Sequence, residues 1–261
     1  MAKGSRLDAR HVAILSALGI ASVHVARPLR IAIISSGNEL MEPGQRLATG
    51  QIFDSNSYML RALLNRSGVE VVDGGRCPDD VPSLAASLAE LSSKADMILA
   101  TGGVASGEED HTRNAIRQAG GEAQSLQIAL KPGKPTVIGR IGAAAVLGLP
   151  GNPVAALVNF LLIGEAMISR LQGCNGGHHA GLPAISNGRY RHSEGRTEYV
   201  PAKIFKTGDD KLLLDILGRG GSARLAPLIA ADGLAEIAND RGNVEIGTPL
   251  RFHPFGCLSW I

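Results

Sequence analysis

Apolar residues recur along this chain in two rhythms, and the rhythms divide it. Between Leu29 and Gly173, short and nearly continuous apolar runs alternate with segments whose apolar positions fall three or four residues apart. The runs Arg30–Ile34, Val69–Val72, Met97–Ala100 and Ala144–Leu147 have the character of strands buried on both faces. Helical spacing follows Asp54-Ser55-Asn56, with Leu60, Leu63 and Leu64 on one side, and returns over Pro82–Leu91 and from Asp110 to about Gly120. Two short strands, Leu126–Ala129 and Thr136–Ile138, flank Lys131-Pro132-Gly133-Lys134-Pro135. Asn152 as N-cap and Pro153 at the first helical position open a long apolar helix to Leu171. Strands and helices alternating in this way predict an α/β fold, a parallel sheet flanked by helices.

The ends of the chain have a different texture. Residues 1–28 read as an amphipathic helix at Asp8–Leu18, with Val12, Leu15 and Leu18 on one side, and an extended connector to Pro28. Residues 174–182 are rich in Gly and His and read as a linker. Over 183–261, short alternating segments at Glu198–Phe205, Leu212–Ile216 and Pro249–Phe252, with a short helix at Leu225–Ala231, predict a small C-terminal β-barrel or sandwich domain.

Composition narrows the function classes. A formal charge of +2 with scattered basic residues offers no footprint for nucleic acid or an anionic membrane, and 3% aromatics argue against base-stacking platforms. No apolar run reaches the roughly 18 residues of a membrane span, and Met1–Arg10 does not read as a signal peptide. Cys77, Cys174 and Cys257 are far apart and odd in number, as expected for reduced thiols in the cytoplasm. The 33 glycines are roughly 13% of the chain against a usual ~7%, so many backbone turns or close ligand approaches are expected.

The chemistry gathers in loops after the predicted strands. In open parallel sheets, ligands sit outside the carboxyl ends of the strands, where loops lead to helix N-termini with free N–H groups. Ser36-Gly37-Asn38-Glu39, Pro78-Asp79-Asp80, Thr101–Asp110 and Pro150-Gly151-Asn152-Pro153 all follow predicted strands. Taken singly, each has a plain structural explanation: Gly102-Gly103 as a tight turn, Asp80, Asp110 and Asn152 as helix caps. Taken together, glycine loops that expose N–H groups beside carboxylates suit a phosphorylated ligand bridged by a hard cation such as Mg²⁺. Lys131 and Lys134 add positive charge near an anion, or else form a solvated turn. There is no Walker A, dinucleotide fingerprint, nucleophile elbow or zinc signature.

Six segments in order resemble the molybdopterin molybdotransferase family, that is, MoeA and the E domain of gephyrin. They are Ser35–Leu40, Gly50–Asn56, Thr101-Gly102-Gly103-Val104, Gly107-Glu108-Glu109-Asp110, Lys131–Pro135 and Leu149–Pro153. Gly195–Tyr199 and Gly221–Leu225 are similar to family segments in the C-terminal β-domain. The resemblance implies insertion of molybdate into adenylylated molybdopterin with release of AMP and with Mg²⁺ present. It further implies a homodimer and a molybdopterin adenylyltransferase as partner. Carried over by motif, Glu39, Asp80 and Asp110 are the catalytic and metal candidates. Ser36, Gly37, Thr101, Gly102, Gly103, Gly107, Glu108, Lys131, Lys134, Pro150, Asn152 and Pro153 are the substrate-binding candidates. The chain departs from the family pattern at Asn38, Ala105 and His111, where Asp, Ser and Tyr are frequent. A motif of the family's N-terminal domains finds no counterpart. The chain is therefore expected to be either a segment of a longer enzyme or a short relative acting as a non-catalytic binding or scaffold module.

Overall fold

The structure is a computed structural model and describes residues 2–104, 110–174, 181–206, 211–218 and 225–256. It begins with α1 (Ala9–Ala17), capped by Asp8, whose carboxylate accepts the Arg10 and His11 N–H groups. The α/β portion follows as β1 (Leu29–Ser36), β2 (Leu40–Met41), β3 (Ile52–Phe53), α2 (Asn56–Leu64), β4 (Val69–Cys77), α3 (Val81–Lys94) and β5 (Met97–Thr101). It continues through α4 (His111–Gln118), β6 (Glu122–Gln127), β7 (Leu130–Lys131), β8 (Pro135–Ile141) and β9 (Ala144–Leu149). A long helix comes next, in which α5 (Pro153–Asn159), a wider π turn (Phe160–Gly164) and α6 (Glu165–Leu171) run on without a break. The second portion holds β10 (Leu182–Ser186), β11 (Thr197–Lys206), β12 (Leu212–Ile216), α7 (Ala226–Ala230), β13 (Gly233–Ile237) and β14 (Pro249–Pro254).

Six strands form the first sheet in the order β4-β1-β5-β9-β8-β6. The four apolar runs, β4, β1, β5 and β9, are mutually parallel; β1, β5 and β9 are buried almost throughout, whereas β4 lies at the sheet edge and is partly exposed. Alternate residues of β1 serve opposite faces: Ile31 and Ile33 pack with Leu60, Leu64 and Phe160, while Ala32 and Ile34 pack with Leu84, Leu88 and Ile116. The expected parallel sheet has one reversal. β8 runs antiparallel to β9, because Ile141 pairs with Ala144 across Gly142-Ala143, and two residues turn a hairpin but cannot make a crossover. β8 therefore starts beside the end of β9. The Lys131–Pro135 segment that leads into it opens on the same edge as the loops after β1, β5 and β9.

Pro153–Leu171 is, among the described residues, a helix long and apolar enough to cross a membrane. Here its apolar side chains supply the core instead: Ala156, Phe160 and Ile168 lie under the sheet, and Val158 joins Leu130, Tyr199 and Leu234. The second sheet closes as a five-stranded barrel in the order β12-β10-β14-β13-β11, with β11 pairing back to β12, around Leu214, Ala235, Ile237 and Phe252. This meets the expectation of a small β-barrel. β7 adds a parallel edge to β11, setting Leu130 opposite Thr197 and Lys131 opposite Glu198.

Asp96 ties the N-terminal connector to the sheet. Its carboxylate receives both Arg27 guanidinium nitrogens at 2.7 and 2.6 Å and the Arg30 N–H at 2.8 Å. The hydrogen bonds from Arg27 hold it at about 2, below the ordinary 3.8. A carboxyl lowered in the folded state contributes stability above its unfolded pKa and loses it as pH falls through the folded value. Asp96→Asn should therefore flatten the acid limb of the stability curve between pH 4 and 2. At pH 7 it should cost roughly 1 kcal/mol, given solvent screening at the exposed Arg27. Urea unfolding across pH measures both; an unchanged acid limb would show that Asp96 does not carry this linkage.

Candidate functional site

The edge formed by the ends of β1, β5 and β9 is built on close backbone approach. Gly102 has φ 90°, and a Cβ there would lie 2.1 Å from the Ser36 carbonyl oxygen, so no other residue fits. Gly103, at φ 62°, is ringed by the Ser36 hydroxyl, the Thr112 hydroxyl and the Asp79 carboxylate, at 3.0, 3.2 and 3.5 Å from where its Cβ would be. Thr112 closes the turn by donating its hydroxyl to Gly102 O and its N–H to Gly103 O. Gly37 stands under Glu39, whose carboxylate oxygen would be 2.9 Å from a Gly37 Cβ. Backbone glycines surrounded by hydroxyls make a concavity suited to an anion.

Neighbouring loops are joined to this centre. Asn38 Oδ1 accepts the Asp79 N–H at 3.2 Å and so links the loop after β1 to that after β4. Asn56, buried at the start of α2, donates from Nδ2 to the Thr101 hydroxyl at 2.7 Å and to Gly151 O at 2.9 Å. That bond joins the loops after β5 and β9, while Asn56 Oδ1 and the Ser35 hydroxyl are buried without a hydrogen-bond partner. Pro150 is buried, and Asn152 caps α5 by accepting the Val154 and Ala155 N–H groups, with Pro153 at the first helical turn.

The acidic candidates separate by role. Asp80 is the N-cap of α3 and accepts the Ser83 N–H at 2.8 Å. Asp110 is fully buried with both oxygens engaged: one caps α4 through the Arg113 N–H at 3.0 Å, the other receives the Ser125 hydroxyl at 2.7 Å. Glu39 is exposed. Asp79, passed over in favour of its neighbour by sequence reasoning, is the carboxylate at Gly103, and it pairs with His111 Nδ1 at 3.1 Å. The sequence held part of the signal: Asp80 directly precedes Val81-Pro82, the register of a cap, which leaves Asp79 without that role. Among the described residues, no three His, Cys, Asp or Glu side chains gather as a metal cluster. Glu39, Asp80 and Asp110 are thus not a ready-made cage. Gly107 and Glu108 lie outside the described residues, as does the departure at Ala105.

Beneath the edge, burial together with the nearby Asp80 and Asp79 charges pushes the Cys77 thiol up to about 11, which keeps it protonated. Cys77 and Cys174 are both free cysteines.

The lysine loop is held from two sides. Lys131 joins Pro132 through a cis peptide. Gly133, at φ 109°, passes so near Asn159 that a Cβ would lie 2.0 Å from its Nδ2. Asn159, fully buried at the end of α5, donates to Gly133 O and Ala155 O and accepts the Thr136 hydroxyl at 2.6 Å. Lys131 is drawn to Glu198 of the barrel at 3.2 Å, and Lys134 is exposed. Neither Asn159 nor Glu198 was among the sequence candidates, because their partners are distant in the chain.

Comparison with known proteins agrees with this geometry. Residues 32–170 match the model of the probable molybdopterin binding domain, and residues 184–255 match the MoeA C-terminal region, domain IV. The chain belongs to the MoeA family. It is 32% identical over 257 residues to a molybdopterin molybdenumtransferase of Haemophilus influenzae, covering 98% of this chain and 63% of that protein. Molybdopterin molybdenumtransferase 2 of Mycobacterium tuberculosis is 31% identical over 90% of this chain and 59% of its own length. Among solved structures, the molybdopterin biosynthesis MoeA protein of Pyrococcus horikosii superposes with a TM-score of 0.79 at 33% identity, over 99% of this chain and 62% of that one. This MoeA-family chain thus spans about three fifths of the length of the relatives it matches.

Proposed function

We propose that this chain acts in molybdenum cofactor biosynthesis as a molybdopterin molybdotransferase, inserting molybdate into adenylylated molybdopterin with release of AMP. The observation that carries the reading is the glycine cradle, Gly102 and Gly103 closed upon Ser36 at the sheet edge. It offers backbone N–H groups and hydroxyls to an anionic ligand, in a chain whose relatives are named molybdopterin molybdenumtransferase. Ser36, Gly37, Thr101, Gly102 and Gly103 would receive the substrate, together with Gly107 and Glu108. Lys131 and Lys134 would face its anionic groups, and Pro150, Asn152 and Pro153 would shape the access of molybdate. The protein's part is positioning and charge neutralisation.

Magnesium fits this edge as a companion of the substrate phosphates, since that ion takes one or two carboxylates and fills its shell with phosphate oxygens and water. The oxygens left for it are those of Glu39, one of Asp79, whose other oxygen pairs with His111, and one of Asp80, whose other oxygen caps α3; Asp110 has both committed. When bound, the ion would neutralise charge on the phosphate groups. The protein's own residues would hold the adenylylated pterin in place.

We further read residues 1–28 as a connector, 29–173 as the pterin-binding domain, 174–182 as a linker and 183–261 as the β-domain. The assembly would be a cytoplasmic homodimer that receives its substrate from a molybdopterin adenylyltransferase. The test is direct. Purified chain loaded with adenylylated molybdopterin and Mg²⁺ should release AMP when molybdate is added, and Asp79→Asn should slow that release about tenfold or more. Binding without release would favour a non-catalytic binding module, and no binding at all would sink the reading.

A further inference from the structure

The carboxyl-bearing Glu198 on β11 is only 3% exposed. Its Oε1 accepts the Tyr190 hydroxyl at 2.9 Å and lies 3.2 Å from Lys131 Nζ, while His192 Nε2 stands 3.9 Å from Oε2. A carboxylate so buried needs a counter-charge held close, and the parallel pairing of β7 with β11 sets Lys131 directly opposite it. An ammonium has three donors, so one bond to Glu198 leaves two for a ligand. Lysine is among the most costly side chains to immobilise, and here the barrel has immobilised it before any ligand arrives. The backbone of the loop is anchored separately, by Asn159 bonding to Gly133 O, so Glu198 acts on the Lys131 side chain rather than on the course of the loop.

We infer that Glu198 is a positioning residue that presents the Lys131 ammonium to the anionic part of the ligand, making the β-barrel a participant in recognition at the α/β edge. This rests on the anion-binding reading of that edge, and two arms of one experiment keep the two separable. In the first, binding of adenylylated molybdopterin is measured by calorimetry for wild type, Lys131→Met, Glu198→Gln, Glu198→Asp and the Lys131→Met/Glu198→Gln double variant, each checked for folding by its thermal midpoint. Lys131→Met and Glu198→Gln should each weaken binding about tenfold, the double variant should be no weaker than Lys131→Met, and Glu198→Asp should recover most of the affinity. In the second arm, ligand-free protein is acylated and read by mass spectrometry. Glu198→Gln should speed labelling of Lys131 about threefold or more while leaving Lys134 unchanged. Losses that multiply in the double variant, or unchanged Lys131 labelling, would overturn the inference. Failure of wild type to bind in the first arm would instead remove the pterin reading, with the second arm still deciding whether Glu198 holds Lys131.

Discussion

Gly102→Ala should lose about 2–5 kcal/mol of stability and with it the ability to bind ligand at the sheet edge. Two costs add. A left-handed conformation penalises any Cβ by roughly 1–2 kcal/mol, and overpacking against fixed atoms adds about 1–3 kcal/mol. The clash partner is the Ser36 carbonyl, 2.1 Å from the new Cβ, and a strand end cannot move aside as a flexible side chain can. Gly75 separates the two costs, since it has φ 67° but nothing within 4 Å of its Cβ position. Gly75→Ala should therefore pay only the conformational cost. Urea midpoints for both variants measure the difference; equal losses would mean that the β5 turn does not press on β1 as described.

Asn159→Leu should be nearly as severe, at about 2–4 kcal/mol, for a different reason. The substitution is of similar size, so packing changes little, but it strips partners from the Gly133 carbonyl and the Thr136 hydroxyl. A buried polar group left unpaired costs about 1–3 kcal/mol. The effect should also be local. Hydrogen exchange at the Gly133 and Lys134 amides should accelerate well before the sheet opens, and binding of the adenylylated pterin should weaken because the lysine loop loses its seat. Unchanged exchange there would show that the loop is held by other contacts.

Both predictions concern residues whose importance was unevenly legible. Gly102 could be suspected from sequence, because a Thr-Gly-Gly directly after an apolar run leaves little but a tight turn. Asn159 could not, because it sits in an apolar helix where a lone polar residue has many explanations, and its partners Gly133 and Thr136 lie more than a helix away. The acidic residues fall between these cases. Cap registers visible in the sequence at Asp80 and Asp110 are the roles those residues have in the structure. Which carboxylate faces Gly103 depended on the course of the chain between Cys77 and Asp80.

Local patterns therefore carried much of this protein. The apolar runs specified four parallel strands, of which β1, β5 and β9 are buried on both faces and β4 is a partly exposed edge. Asp80, Asp110 and Asn152 marked where helices begin, and the ordered loop motifs pointed to the family. The tertiary structure decided what depends on partners far apart in sequence. The Gly142-Ala143 hairpin reverses β8 and so carries Lys131–Pro135 to the ligand edge. The pairing of β7 with β11 sets Lys131 against a carboxylate on the barrel. Periodicity records which face of an element is buried, but not which distant strand will lie beside it. Strand order and the pairing of buried charges are settled only when the whole chain packs.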